Sequence, residues 1–154
     1  DFVAGVVERM VLDAAREADV VLVEGQGAIH HPAYSGVTLS LMHGACPELM
    51  ILCHQAGRTH MKLSDAAPAP RLGALSQVLL DNERAAGWLR PASVVALSLN
   101  TMLLDEVEAK RALENAEKLT GLPTVDPVRY GTEVIATELI RRLDERRRRK
   151  TGED

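Results

Sequence analysis

Three short apolar runs, each ending in polar residues, constrain the fold of this chain more than any other feature. They are "DVVLVEG" (19–25), "ELMILCH" (48–54) and "SVVALSLNT" (93–101). None alternates apolar with polar positions, so each reads as a strand buried on both faces. Helical spacing fills the stretches between them. Val3, Val6, Val7, Met10, Val11, Ala14, Ala15 and Ala18 recur at i, i+3 and i+4, which predicts a helix that Asp1 can cap. Further helices are expected over "GVTLSLMHGA", Arg71–Gly87, Asp105–Thr120 closed by Gly121, and Thr132 to about Arg148. "LPTVDP" reads as a short fourth strand, and "QAGRTHMKLSDAAPAP" as a loop too punctuated to be core. Strands alternating with helices of this length define an α/β class: a parallel sheet flanked on both faces by helices through right-handed crossovers.

A length of 154 residues with 46 % hydrophobic composition supports one domain with a real core, and no repeat or linker divides it. The net charge of −4 lacks the basic footprint that general nucleic-acid binding needs. Charge is uneven: Arg141 to Lys150 holds seven basic and two acidic residues, so 141–154 reads as a basic, fraying tail. No apolar run reaches the ~18 residues of a membrane span, and the N-terminal stretch has no signal-peptide pattern. Cys46 and Cys53 lack CxxC spacing and read as reduced core thiols of a cytoplasmic protein.

In an open parallel sheet, ligands bind beyond the carboxyl ends of the strands. That rule gathers four sets of residues on one edge: Glu24, Gly25, Gln26 and Gly27; His54, Gln55, Gly57, Arg58, Thr59 and His60; Asn100 and Thr101; Asp126, Pro127 and Arg129. Glu24 either orients a metal-bound water or substrate group, or accepts N–H bonds from its own loop. Gly25 and Gly27 allow positive φ or close backbone approach. Adjacent His30 and His31 cannot both face one point in an extended loop. Histidines with no HxxxH or HExxH spacing do not make a zinc signature. Arg58 suits bidentate capture of a carboxylate or phosphate, or a surface ion pair. Asn100 reads either a nucleobase edge or caps the next helix. Arg129 has the same open choice between ligand and ion pair.

The string "VVLVEGQGAIHHPAYSGVTLSLMHGACPELMILCHQAGRTHM", with "DFVAG" before it and "LNT" and "GLPTVDPVRYG" after it, resembles the C-terminal domain of the DgcN-like family. This resemblance covers essentially the whole chain. It implies a P-loop NTPase-like fold of the dethiobiotin-synthetase type, truncated at the N-terminal side, because the chain contains no GxxxxGK[ST]. Residues 1–154 are then the downstream part of one domain, and the missing upstream half is an expected partner. It further implies an N-acetyltransferase, moving an acetyl group from acetyl-CoA to the amine of D-glutamate or a similar amino acid. The alternatives are an ATP- or GTP-dependent, Mg²⁺-dependent ligase or kinase, and a non-catalytic binding or assembly domain.

Carried over residue by residue, the resemblance places Glu24 at the metal and substrate side, with Asp1 as a second acid facing Mg²⁺ or phosphate. Asn100 falls where the fold's nucleotide-base asparagine stands. Acyl transfer assigns Glu24, His30 or His31 as general base and Arg58 to a carboxylate. Gly25, Gln26, Gly27, Asn100, Thr101 and Arg129 are assigned to the cofactor. Tyr34, Ser35, His54, Thr59 and His60 join Arg58 at the substrate end. A small-molecule substrate and a homo-oligomer covering the incomplete sheet edge are expected, with neither nucleic acid nor membrane as partner.

Overall fold

The computed structural model describes residues 2–62 and 69–152. Its elements follow in the order α1 (Phe2–Ala14), α2 (Ser35–Ala45), β1 (Leu49–Gln55), α3 (Leu75–Gly87), β2 (Ser93–Asn100), α4 (Glu106–Thr120), β3 (Thr124–Val125), α5 (Pro127–Tyr130) and α6 (Glu133–Thr151). The strands form one parallel sheet in the order β1-β2-β3. Gln55 is level with Asn100, and Ser98 with Val125, so the strand ends share an edge. The α/β class with a parallel sheet flanked by helices is therefore the observed one.

β2 is the centre. Val94, Val95, Ala96, Leu97 and Leu99 are all buried, as a strand covered on both faces requires. Ile135 of α6 packs with Ala96 and Val125, and Ile51 and Leu139 close that cluster. The helix ends follow local chemistry. Asp105 accepts from the Glu108 N–H while Glu108 reaches back to the Asp105 N–H, a capping box that starts α4. Gly121, at φ 68°, ends α4 in the left-handed conformation expected of it. α1 packs on α2 at Gly44, where a Cβ would collide with the Ala4 carbonyl.

The structure corrects three expectations about secondary structure. "DVVLVEG" is not a strand: Val20 to Gln26 form no β pairing, and Val20, Leu22 and Val23 are exposed. The apolar pattern is that of a buried strand, but a strand forms only against a neighbour. β1 gives one edge to β2, and among the described residues nothing pairs with Val20–Glu24. The helix expected from Arg71 starts at Leu75, because Arg71 forms an antiparallel bridge with His60. "LPTVDP" supplies only the two-residue β3, since Pro127 at a first helical turn capped by Asp126 opens α5 instead.

The basic stretch continues as helix to Thr151. Arg141 and Arg142 bond Glu138, and Arg146 bonds the Glu48 side chain and carbonyl, each at 3.1 Å, just before β1. The Arg141 and then the Arg142 hydrogen bonds outweigh burial and hold the Glu138 carboxyl at about 2, against an ordinary 4.5. Its folded-state value is depressed, so the stabilisation is complete above about pH 5 and fades as the pH falls toward 2. Glu138→Gln is expected to flatten the acid limb of the stability curve by about 1–2 kcal/mol, discounted for the solvent around the arginines. Urea midpoints measured from pH 7 to pH 3 check this; a variant with the same acid slope as the wild type would refute it. Both cysteines are free; Cys53 is exposed rather than core, and Cys46 is half-buried at φ 46°. No described helix is long and apolar enough to cross a membrane.

Candidate functional site

Three segments converge beyond the carboxyl end of β1: the loop 26–34, the turn 55–62, and the first half of α3. The loop is tied down at both ends. The Thr38 hydroxyl donates to the Gln26 carbonyl, which anchors the loop to α2. Gly27 sits at φ 68° with Tyr34 Cβ only 2.7 Å from where its own Cβ would stand, so only glycine fits without a shift. Backbone bonds from the His31 N–H to Ala28 and from the Ser35 N–H to His31 wind the segment into the start of α2.

The two adjacent histidines take different partners, although the loop is wound into turns rather than extended. His31 Nε2 donates to the Lys62 carbonyl at 3.0 Å, its Nδ1 accepts from the Ala33 N–H at 3.2 Å, and its ring lies 4.5 Å from that of Tyr34. Both of its nitrogens are thus committed to holding the loop. His30 points the other way, with Nε2 2.8 Å from the Asp81 carboxylate on α3. About a third of the His30 side chain stays open to solvent. Glu24, Gly25, Gln26 and Gly27 are exposed on the approach to this loop.

Next to last in β1, His54 is half-buried. Burial first, and then the nearby Arg58 charge, push its imidazole below the ordinary value, so it is neutral at physiological pH. Arg58 is exposed, and the Thr59 hydroxyl meets His60 Nδ1 at 2.9 Å.

Thr101 and Arg129 share a second network, while the Asn100 carbonyl accepts the Ala56 N–H at 2.9 Å and ties β2 to the turn after β1. Thr101 is buried and donates both its N–H and its hydroxyl to Asp126. Arg129 donates to the Thr101 and Leu104 carbonyls and to Glu106, which stands at the start of α4. The Asn100 side chain accepts from the Met102 N–H. Each of these groups therefore has a structural partner at the β2–β3 end of the edge. Asp1 lies outside the described residues. No group of three or more His, Cys, Asp or Glu among the described residues is placed to hold a metal ion. Sequence reasoning missed Asp81 and Gln77. They are 51 and 47 positions from His30 on a helix read only as packing, and no local spacing links them to the loop.

Polar turns gathered beyond the ends of a parallel sheet are where α/β domains of this class bind ligands. The chain belongs to the family described as "Domain of unknown function (DUF1611_C) P-loop domain", which matches residues 1–136. It is similar to two proteins named D-glutamate N-acetyltransferase. One, from Tritonibacter scottomollicae, is 40 % identical over 131 residues, 85 % of this chain and 38 % of that protein. The other, from Pseudoalteromonas sp, is 34 % identical over 140 residues, 90 % of this chain and 41 % of that protein. The crystal structure of a DUF1611 family protein from Anabaena variabilis superposes with a TM-score of 0.80 at 37 % identity, covering 90 % of this chain and 40 % of that one. The chain spans about two fifths of the length of these relatives.

Proposed function

We propose that the protein containing this chain transfers an acetyl group from acetyl-CoA to the amine of D-glutamate or a similar amino acid. The observation that carries this is the identity of 40 % and 34 % to two proteins of that name, running over most of the chain. The chemistry needs a base, because an ammonium must lose a proton before its nitrogen attacks a thioester. Glu24, His30 and His31 are the groups named for that task by position, and of these two histidines His30 has only Nε2 hydrogen-bonded whereas His31 has both nitrogens bonded. Arg58, exposed beside the loop, supplies a cation for a substrate carboxylate. Backbone N–H groups of Gly25 to Gly27 are suited to the thioester oxyanion or to the diphosphate of CoA.

A Mg²⁺-nucleotide-dependent ligase or kinase is the second reading. The family's description as a P-loop domain favours it. Glu24, with Asp1, would then face the metal. Calorimetric titration of the intact protein separates the two. Acetyl-CoA binding at micromolar affinity with Mg·ATP silent, together with thiol release on adding D-glutamate, is the expected result. Mg·ATP binding without a response to acetyl-CoA would overturn acyl transfer.

A further inference from the structure

His30 and Asp81 come from segments that share no sequence signal, yet they meet at 2.8 Å beside the loop assigned to the substrate. Asp81 is pinned on both oxygens. Its Oδ2 faces His30 Nε2, while its Oδ1 accepts from Gln77 Nε2 at 2.7 Å and lies 3.8 Å from the Arg84 guanidinium. We infer that Asp81 is the positioning residue of a His30–Asp81 pair, fixing the imidazole so that His30 Nδ1 is the general base of the acetyl transfer. This rests on the acyl-transfer function proposed above.

An ionised carboxylate only accepts hydrogen bonds, so the ring nitrogen facing it carries the proton. The His30 bond is the largest effect and, with the Gln77 bond and the His30 and Arg84 charges, holds the Asp81 carboxyl below its ordinary value against burial, the second largest, which raises it. With Nε2 protonated and donating, the lone pair of a neutral ring falls on Nδ1. His31 offers no such nitrogen, since a carbonyl takes its Nε2–H and the Ala33 N–H occupies its Nδ1. Orientation of a histidine base by a buried or half-buried carboxylate is the logic of acyl-transfer triads.

The substrate ammonium gives one proton to His30 Nδ1, which later releases it to solvent. The freed amine forms the C–N bond at the thioester carbon. As the tetrahedral adduct collapses, the C–S bond breaks and the second nitrogen proton ends on the CoA sulfur.

The test uses the intact protein, D-glutamate and acetyl-CoA. Asp81→Asn keeps the shape, but its amide can donate to Nε2 and so leave the proton on Nδ1. Its kcat is expected to fall ~100-fold with KM nearly unchanged, within the range for a general base. Asp81→Glu is expected to recover a large part of that loss. In a His30→Ala background, Asp81→Asn should cost nothing further, because the pair acts as one unit. ¹⁵N spectra of the wild-type imidazole should show Nε2 protonated and Nδ1 bare, a readout independent of turnover.

Each outcome separates the claims. A wild-type protein that does not acetylate D-glutamate refutes the proposed function. Activity retained within twofold in Asp81→Asn, or losses that add in the double variant, overturns the role of Asp81. An Nδ1-protonated His30 overturns it as well.

Discussion

Asp126→Ala is expected to lower the stability of the protein by about 3–4 kcal/mol, the largest loss from any polar residue here. The side chain is buried and joins the segment after β2 to the start of α5. Its Oδ2 accepts the Thr101 N–H at 2.8 Å and the Thr101 hydroxyl, and its Oδ1 accepts the Val128 N–H at 3.0 Å and the Arg129 N–H at 3.3 Å. Burial pushes the carboxyl up, but the Thr101 and backbone hydrogen bonds prevail and hold it below its ordinary value, so it stays charged. Removing it strands buried donors on Thr101, a residue with 1 % of its surface exposed. Asp126→Asn keeps one acceptor and should lose about half as much. Urea unfolding checks both: the midpoint should fall with an unchanged slope. A loss below about 1 kcal/mol for the alanine variant would mean that water replaces the carboxylate and the clamp is not needed.

Leu97→Ala is expected to cost about 3–5 kcal/mol, because the side chain is among the largest that are fully enclosed. Leu97 lies mid-strand in β2, between β1 and β3, where its neighbours cannot easily collapse into the void. Leu97→Met, which conserves volume, should cost less than about 1.5 kcal/mol. The contrast between the two, read from urea midpoints at one pH, separates packing from strand propensity. Near-equal losses would count against a close-packed interior at this position.

Much of the architecture was legible because it rests on local signals. The runs "ELMILCH" and "SVVALSLNT" are β1 and β2 to within a residue or two; β2 is buried as its unbroken apolar run requires, whereas β1 stays half-buried with Cys53 exposed. Asp105 and Gly121 mark the ends of α4 because capping and the left-handed turn depend on neighbours in sequence. "DVVLVEG" carries an equally strong apolar pattern and forms no strand, because pairing is a property of two segments and its own pattern is only one of them.

The candidate site was legible in position and not in pairing. Placing polar residues past strand ends led to the 26–34 loop and the 55–62 turn. It did not separate His30 from His31, which have the same neighbours in sequence and opposite duties in space. Nor did it reveal that Thr101 and Arg129 spend their hydrogen-bonding groups on Asp126 and the α4 approach.

The sequence by itself determined the class of fold, the buried central strand β2, the family and the edge where polar chemistry gathers. All of these follow from periodicity, turn residues and a motif string, which act over a few neighbouring positions. The tertiary structure alone decided which histidine nitrogen is left open, which carboxylate holds it, and which apolar run has no strand partner among the described residues. Those outcomes depend on groups tens of residues apart being brought within 3 Å, and a hydrogen bond of that kind leaves no trace in local spacing.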